Sequence, residues 1–363
     1  MKLIASFLMT LLTFFVYGQK SNTLQAPKVD ERIELLSIVF RLADSKEYSS
    51  TIFNQYTDKI ETHYAAYKNH ELIQFTKKIR YENGIGYDAV MSMAIHLDKN
   101  LNPRVNLSSK TLDKRWGKEN ATEFTRLLKK FYKDSNSKVF FKTNQELYSS
   151  STEKFLPIYE NLDLDWYSRF YGTKPTEKFI IINGLSIGGS NFGPDIVLKN
   201  KQREVYAIMG TWKVDANGNP KFDFDSYFPI LLHEFNHSFI NHLLENNKEN
   251  FRQNGETLYE VFEEKMNDQA YGNWETMLNE ALVRAAVIKY MKDHNFSEAQ
   301  IKEEISEQID RGFLWIEDLV YELDNYDKQR DKYPTLQTYM PVLVKAYDEY
   351  VKNIDKYKEI LKK

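Results

Sequence analysis

Residues 231–243 read LLHEFNHSFINHL, and three of the chain's seven histidines fall within them. His233, Glu234 and His237 follow the pattern H-E-x-x-H, whose spacing has a mechanism behind it. On a helix each residue advances about 100°, so His237 lies about 40° from His233, one turn along. Two imidazoles so placed can converge on one zinc ion. Glu234 falls about 100° from His233, beside the ligand arc. There it can hold a zinc-bound water and take its proton as general base.

The opposite arc is apolar. Leu232, Phe235, Phe239 and Leu243 fall at about 260°, 200°, 240° and 280° from His233. One side of the helix is therefore expected to anchor in a core and the other to face a cleft. His242 lies about 180° from His233 and cannot share its ion, so it reads as structural. Asp225 or Ser226 is expected to cap the helix, with Pro229 inside its first turn.

Catalytic zinc takes three protein ligands and keeps a place for water. A third histidine in H-E-x-x-H-x-x-G-x-x-H is excluded, because Ile240 and Leu243 stand where that pattern needs Gly and His. Two carboxylates remain. Glu256 follows His237 after eighteen intervening residues, but Asn254-Gly255 just before it signals a turn. Glu280 sits within NWETMLNEALVRAAVIKYM, with Arg284 one turn on and Ala281 and Ala285 flanking its face. Small residues there let this helix approach the first closely, and Glu280 is favoured. The structural alternative is a surface ion pair between Glu280 and Arg284, worth a few tenths of a kcal/mol. Glu275 lies about 140° from Glu280 around the same helix, so both cannot face one metal. Zinc is preferred over other divalent ions on ligand type.

Other residues offer rival chemistry. GLSIG (184–188) matches the G-x-S-x-G nucleophile pattern and would make Ser186 the nucleophile of a serine hydrolase. That pattern must lead into a helix, and the following GSNFGP does not. An oxyanion needs a donor, for which Tyr259, Tyr271 and Tyr339 are candidates. His96, alone in an apolar stretch, reads as a buried, hydrogen-bonded side chain.

Around these residues the chain divides by texture. Residues 28–132 are mostly helical in pattern, as in DERIELLSIVFRLAD and ATEFTRLLKKFYKD. KFIIING (178–184) reads as a buried strand, GGSNFG (188–193) as a loop, and DIVLKN with REVYAIMG as a hairpin around Lys201-Gln202. DANGNP (215–220) is a turn. Helices are expected over 226–245, 257–268, 274–293, 298–323 and 336–361. The fold class is α+β. The expected division is a leader at 1–18, a mainly helical region at 19–150 and a catalytic region at 151–363. The last splits into a sheet with the metal helix (151–250) and a helical lobe carrying the third ligand (251–363).

The 363 residues are 42% apolar with a net charge of −3, enough for a sizeable core and without the basic footprint of a nucleic-acid binder. Lys2 followed by the apolar run Leu3–Val16, with Val16 and Gly18 small, reads as a secretory signal cut before Gln19. The run is short of the roughly 20 residues needed to span a bilayer, so no stable membrane insertion is expected after cleavage. The chain has no cysteine, which excludes a lipoprotein anchor, a disulfide scaffold, a Cys-ligated zinc and a thiol nucleophile. Export without disulfides points to a bacterial periplasm or exterior.

LLHEFNHSFIN followed by NEALVRA resembles the gluzincin clan of zinc metallopeptidases, and more closely a family of secreted bacterial proteins of unknown function within it. The likeness extends to DERIELLSIVFRLA and GGSNFGPDI. It implies a two-lobed zincin-like fold that hydrolyses peptide bonds in a peptide or protein substrate. His233, His237 and Glu280 would be ligands, and Glu234 the base that activates a zinc-bound water. The gap between His237 and Glu280 is longer than the clan's commonest spacing. The resemblance also implies substrate pairing with a sheet edge beside the metal helix, for which Gly188 and Gly189 permit close approach. The alternative is a non-catalytic exported protein of the same fold that binds a peptide or a partner.

Overall fold

The computed structural model describes residues 24–361. The expected leader lies outside the described residues. Strand β1 (Leu24–Lys28) is followed by six helices: α1 (Glu31–Leu42), α2 (Asn54–Tyr64), α3 (Glu71–Asn83), α4 (Asp88–Ile95), α5 (Lys118–Asp134) and α6 (Ser137–Thr143). Two further helices, α7 (Gln145–Glu160) and α8 (Leu164–Tyr171), lead to β2 (Lys178–Gly184), β3 (Asp195–Val197) and β4 (Arg203–Gly210). The chain then runs through α9 (Phe224–Asn267), α10 (Trp274–Asp293), α11 (Glu298–Asp310), α12 (Ile316–Lys328), α13 (Leu336–Lys352) and α14 (Ile354–Leu361). The fold is α+β with a small mixed sheet, as expected.

The sheet has the order β1-β2-β4-β3. β1, β2 and β4 run parallel, and β3 pairs antiparallel with β4 as an edge strand. Parallel strands covered on both faces are apolar almost throughout, and β2 and β4 are. Phe179, Ile181, Val205, Ala207 and Met209 point into a core shared with α7–α14. Ile180, Ile182, Tyr206 and Ile208 point into a second core built by α1–α6. The sheet is thus a partition with helices on both sides. The division expected at 150/151 falls inside α7, whose Tyr148 belongs to one core and Phe155 to the other.

Several expected elements differ. β1 was not anticipated, because LQAPK has no local strand pattern and owes its conformation to pairing with β2. Helices expected at 226–245 and 257–268 are one helix of 44 residues. Asn254-Gly255 makes no turn: a Cβ on Gly255 would stand 2.3 Å from Trp274 Cε3, so glycine there lets α10 start hard against α9. The expected helix 298–323 is two, broken around Gly312, whose φ of +97° suits glycine. The last helix is likewise divided, at Asn353. No helix among the described residues is long and apolar enough to cross a membrane.

Candidate metal centre

Helix α9 lies on the sheet through the apolar arc read from the sequence. Leu232, Phe235, Phe239 and Leu243 are buried, and the Phe235 ring meets Phe179 of β2 edge-on at 5.0 Å. The helix starts earlier than expected. Its N-cap is Asp223, whose carboxylate pairs with Lys213 and Lys221. Pro229 therefore sits in the second turn, Asp225 accepts from Gln300, and Ser226 accepts from Lys213. Asn236, between His233 and His237, is fully buried. It accepts from the Tyr171 hydroxyl at 2.9 Å and donates to the Val283 carbonyl at 3.4 Å, tying α9 to α8 and α10. Ala281 and Ala285 are also fully buried, where the two long helices press together.

That packing brings Glu280 to the histidines. His233 Nε2 and His237 Nε2 are 3.2 Å apart. Glu280 Oε2 is 3.4 Å from His233 Nε2, and Glu280 Oε1 is 3.5 Å from His237 Nε2. The three groups could hold a metal ion, with all their ligand atoms within 4.8 Å of one another. The fit can be tested. Zinc–ligand bonds of about 2.0–2.1 Å at tetrahedral angles put neighbouring ligand atoms about 3.3–3.4 Å apart; the 3.2 Å between the two imidazole nitrogens, and the 3.4 and 3.5 Å from each to its nearer Glu280 oxygen, lie close to that length.

Neighbours fix the orientations of these side chains. His237 Nδ1 pairs with Asn241 Oδ1 at 3.1 Å, one turn along α9, which turns Nε2 toward Glu280. The Tyr271 hydroxyl donates to Glu280 Oε2 at 3.0 Å, and Arg284 Nη2 donates to the same oxygen at 3.2 Å and to the Tyr271 hydroxyl at 2.8 Å. Arg284 Nη1 continues to Gln308 Oε1 at 2.7 Å. The Glu280–Arg284 pair, whose alternative reading was a surface contact, is thus buried beside the two histidines.

Burial, reinforced by the Arg284 charge, holds the His233 imidazole well below its usual range, so it is neutral at ordinary pH, the form a metal would require. Burial, with the Glu280 charge adding, pushes the Glu234 carboxyl up to about 7 in the metal-free protein, against the pull of His237 and Arg284. Glu234 is 8% exposed. Among the described residues no hydrogen bond or ion pair engages its carboxylate. It lines a cavity of about 650 Å³ together with His233, Tyr271 and Arg284. Across from it, the 188–193 loop closes on α9 at Gly193, where a Cβ would stand 2.8 Å from Glu234 Oε2.

The remaining candidates separate cleanly. Glu256 is on α9 itself, exposed and 3.5 Å from Arg252; nineteen residues of helix put it about 28 Å from His237. Tyr271 is at the site. Tyr259 supports it by donating to the Tyr271 carbonyl, whereas Tyr339 bonds Glu322 elsewhere. Glu275 pairs with Lys248 at 2.7 Å. His242 is exposed on the far side of α9. His96 is buried between the Ser92 and Thr111 carbonyls, as expected of a structural histidine. Ser186 is buried, its hydroxyl donates to Glu34 at 3.2 Å, and the chain beyond it enters a loop and an edge strand. That is not the strand-turn-helix of a nucleophile elbow. Sequence reasoning missed Asn236, Asn241 and Gln308. Asn241 was findable, being one turn from His237; Gln308 is brought in by the tertiary fold alone.

No curated protein and no solved structure matches this chain. The family model described as a domain of unknown function (DUF4932) matches residues 27–346. That span takes in the whole partitioning sheet but for the first residues of β1, and every candidate ligand, and the chain belongs to this family.

Proposed function

We propose that this protein is a zinc-dependent peptidase in which His233, His237 and Glu280 hold the ion and Glu234 is the general base. The observation that carries the reading is the convergence of the His233 and His237 Nε2 atoms, 3.2 Å apart, on the Glu280 carboxylate, whose two oxygens approach them at 3.4 and 3.5 Å, beside a buried carboxylate that no other group engages. A bound zinc ion would supply Lewis acidity, polarising a carbonyl and easing deprotonation of water. Glu234 accepts the proton of the attacking water and returns it to the leaving amine, so one carboxylate serves both transfers. Tyr271 and Arg284 orient Glu280 and keep its second lone pairs occupied.

Helix α9 against a small sheet, with the loop before the antiparallel edge strand closing on it at Gly193, is the arrangement expected of a zincin-like fold. The free edge of β3 and the preceding loop then offers main-chain groups to an extended peptide. The apolar leader read from the sequence would place the activity in the periplasm or outside the cell. A free Glu234 favours catalysis over a binding role, which needs no base.

The test is metal analysis with a peptide-library digest on wild type, Glu234→Gln and Glu280→Ala. One zinc per chain in wild type and in Glu234→Gln is expected, with hydrolysis in the latter down about 10²–10⁴-fold. Glu280→Ala should lose the metal. Full activity in Glu234→Gln defeats the reading. Chelator-insensitive activity lost on Ser186→Ala would instead support a serine hydrolase.

A further inference from the structure

The cavity beside Glu234 is walled unevenly. Five carboxylates but two guanidinium groups line it. Beyond Glu234, the acids are Asp225 at the start of α9 and Glu303, Glu304 and Glu307 on the facing turns of α11. Both cations are already engaged: Arg284 by Glu280, Tyr271 and Gln308, and Arg311 by Glu307 at 2.7 Å. Asp225 and Glu304 receive only neutral amides, from Gln300 at 2.8 Å and Gln308 at 2.6 Å. Glu303 has no hydrogen bond or ion pair among the described residues.

An acidic wall alone means little, since a run of exposed acids on a helix is ordinarily solvated. Two further observations give this one meaning. The wall belongs to a cavity of about 650 Å³ into which a second, unpartnered carboxylate, Glu234, projects while 8% exposed. Burial, with the Glu307 charge adding, pushes the Glu304 carboxyl up against the pull of Gln308, Arg284 and Arg311, so the two guanidinium groups do not offset its burial. The same cavity also has an apolar lining, from Trp212, Val287, Met291 and Phe296. A long aliphatic stem carrying a terminal cation matches a lining that combines apolar side chains with uncompensated acids.

We infer that this cavity is a specificity pocket for a cationic nitrogen of the substrate, seated among Glu303, Glu304 and Asp225. The apolar wall favours the side chain of lysine or arginine as its source; the ammonium group of a free amino terminus is the other source with the same chemistry. The inference rests on the peptidase reading for its function, though not for its binding chemistry.

The test pairs peptides that differ only by lysine or norleucine at one position, each with a free or an acetylated amino terminus. They are assayed on the zinc-supplemented full chain and on Glu303→Gln/Glu304→Gln. Glu307 is left intact, because its loss would release Arg311. If the peptides are cleaved, kcat/KM is compared. If none is cleaved, the peptidase reading fails, and the dissociation constants, followed by tryptophan fluorescence with Trp212 in the wall, decide the pocket's chemistry separately. The lysine peptide is expected to be favoured about tenfold or more, the factor of a charge-assisted hydrogen bond, with the ratio falling toward one in the double variant. Sensitivity to acetylation in place of norleucine assigns the cation to the amino terminus. Indifference of the wild-type protein to both changes overturns the inference.

Discussion

Alanine at Gly193 tests the most exacting contact of the site. The added Cβ would meet Glu234 Oε2 at 2.8 Å, the Glu234 carbonyl oxygen at 3.0 Å and its Cα at 3.6 Å. A carboxylate can swing aside, but the carbonyl belongs to the backbone of α9 and cannot. The loop must therefore retreat by a few tenths of an ångström while Glu234 rotates. No positive φ is involved at Gly193, so the whole effect is steric. Overpacking of this kind costs about 1–3 kcal/mol, and a displaced base loses on the order of tenfold to a hundredfold in rate. Gly189→Ala in the same loop is the control, since its Cβ would meet only Trp212 Cβ at 3.9 Å and should change stability by no more than about 0.5 kcal/mol. Urea denaturation, zinc content and peptide hydrolysis are measured on both. Gly193→Ala should keep its zinc, lose stability and lose hydrolysis. If it behaves as Gly189→Ala does, the placement of the loop against Glu234 is wrong.

Gly255→Ala discriminates by sign: helix propensity alone would add about 1 kcal/mol, but the clash with Trp274 predicts a loss of about 1–3 kcal/mol by chemical denaturation. A more stable variant would contradict the α9–α10 contact. Tyr271→Phe removes one of the two donors to Glu280 Oε2 and should weaken zinc binding about tenfold in competition with a chromophoric chelator; unchanged affinity would deny Tyr271 its orienting role. Glu34, buried against the Leu185 amide and Ser186, has its carboxyl pushed up to about 7 by burial. The folded state then holds that proton more tightly than the unfolded one. Stability from this group is complete below about pH 4.5 and is lost as pH rises to about 7, on the order of 3 kcal/mol in all. Glu34→Gln should flatten that decline, and stability curves of identical slope for the two proteins would refute it.

The site was legible to the extent that its geometry is local. His233, Glu234 and His237 are placed by one turn of helix, and the opposed apolar arc by the same periodicity, so their faces followed from spacing. Glu280 is forty-three residues from His237 in sequence, and its approach depends on Ala281, Ala285 and Asn236. The local turn signal at Asn254-Gly255 misled for a physical reason. Glycine there serves contact with Trp274, and the gain from packing two long helices outweighs its poor propensity. β1 escaped notice because a parallel strand is stabilised by a partner far along the chain.

From sequence alone came the α+β class, the short strand at 178–184, the metal-capable helix and the candidate ligand set, since each rests on periodicity or on chemistry carried by a few neighbouring residues. Only the tertiary structure brought Glu280 and not Glu256 to the histidines, buried Ser186 against Glu34, placed Tyr271 beside Glu280 and set the acids of α11 in the wall of the cavity that Glu234 lines. Those choices depend on which helices meet, and helix meeting is governed by side-chain volume and burial summed over the whole core, which no short stretch of residues contains.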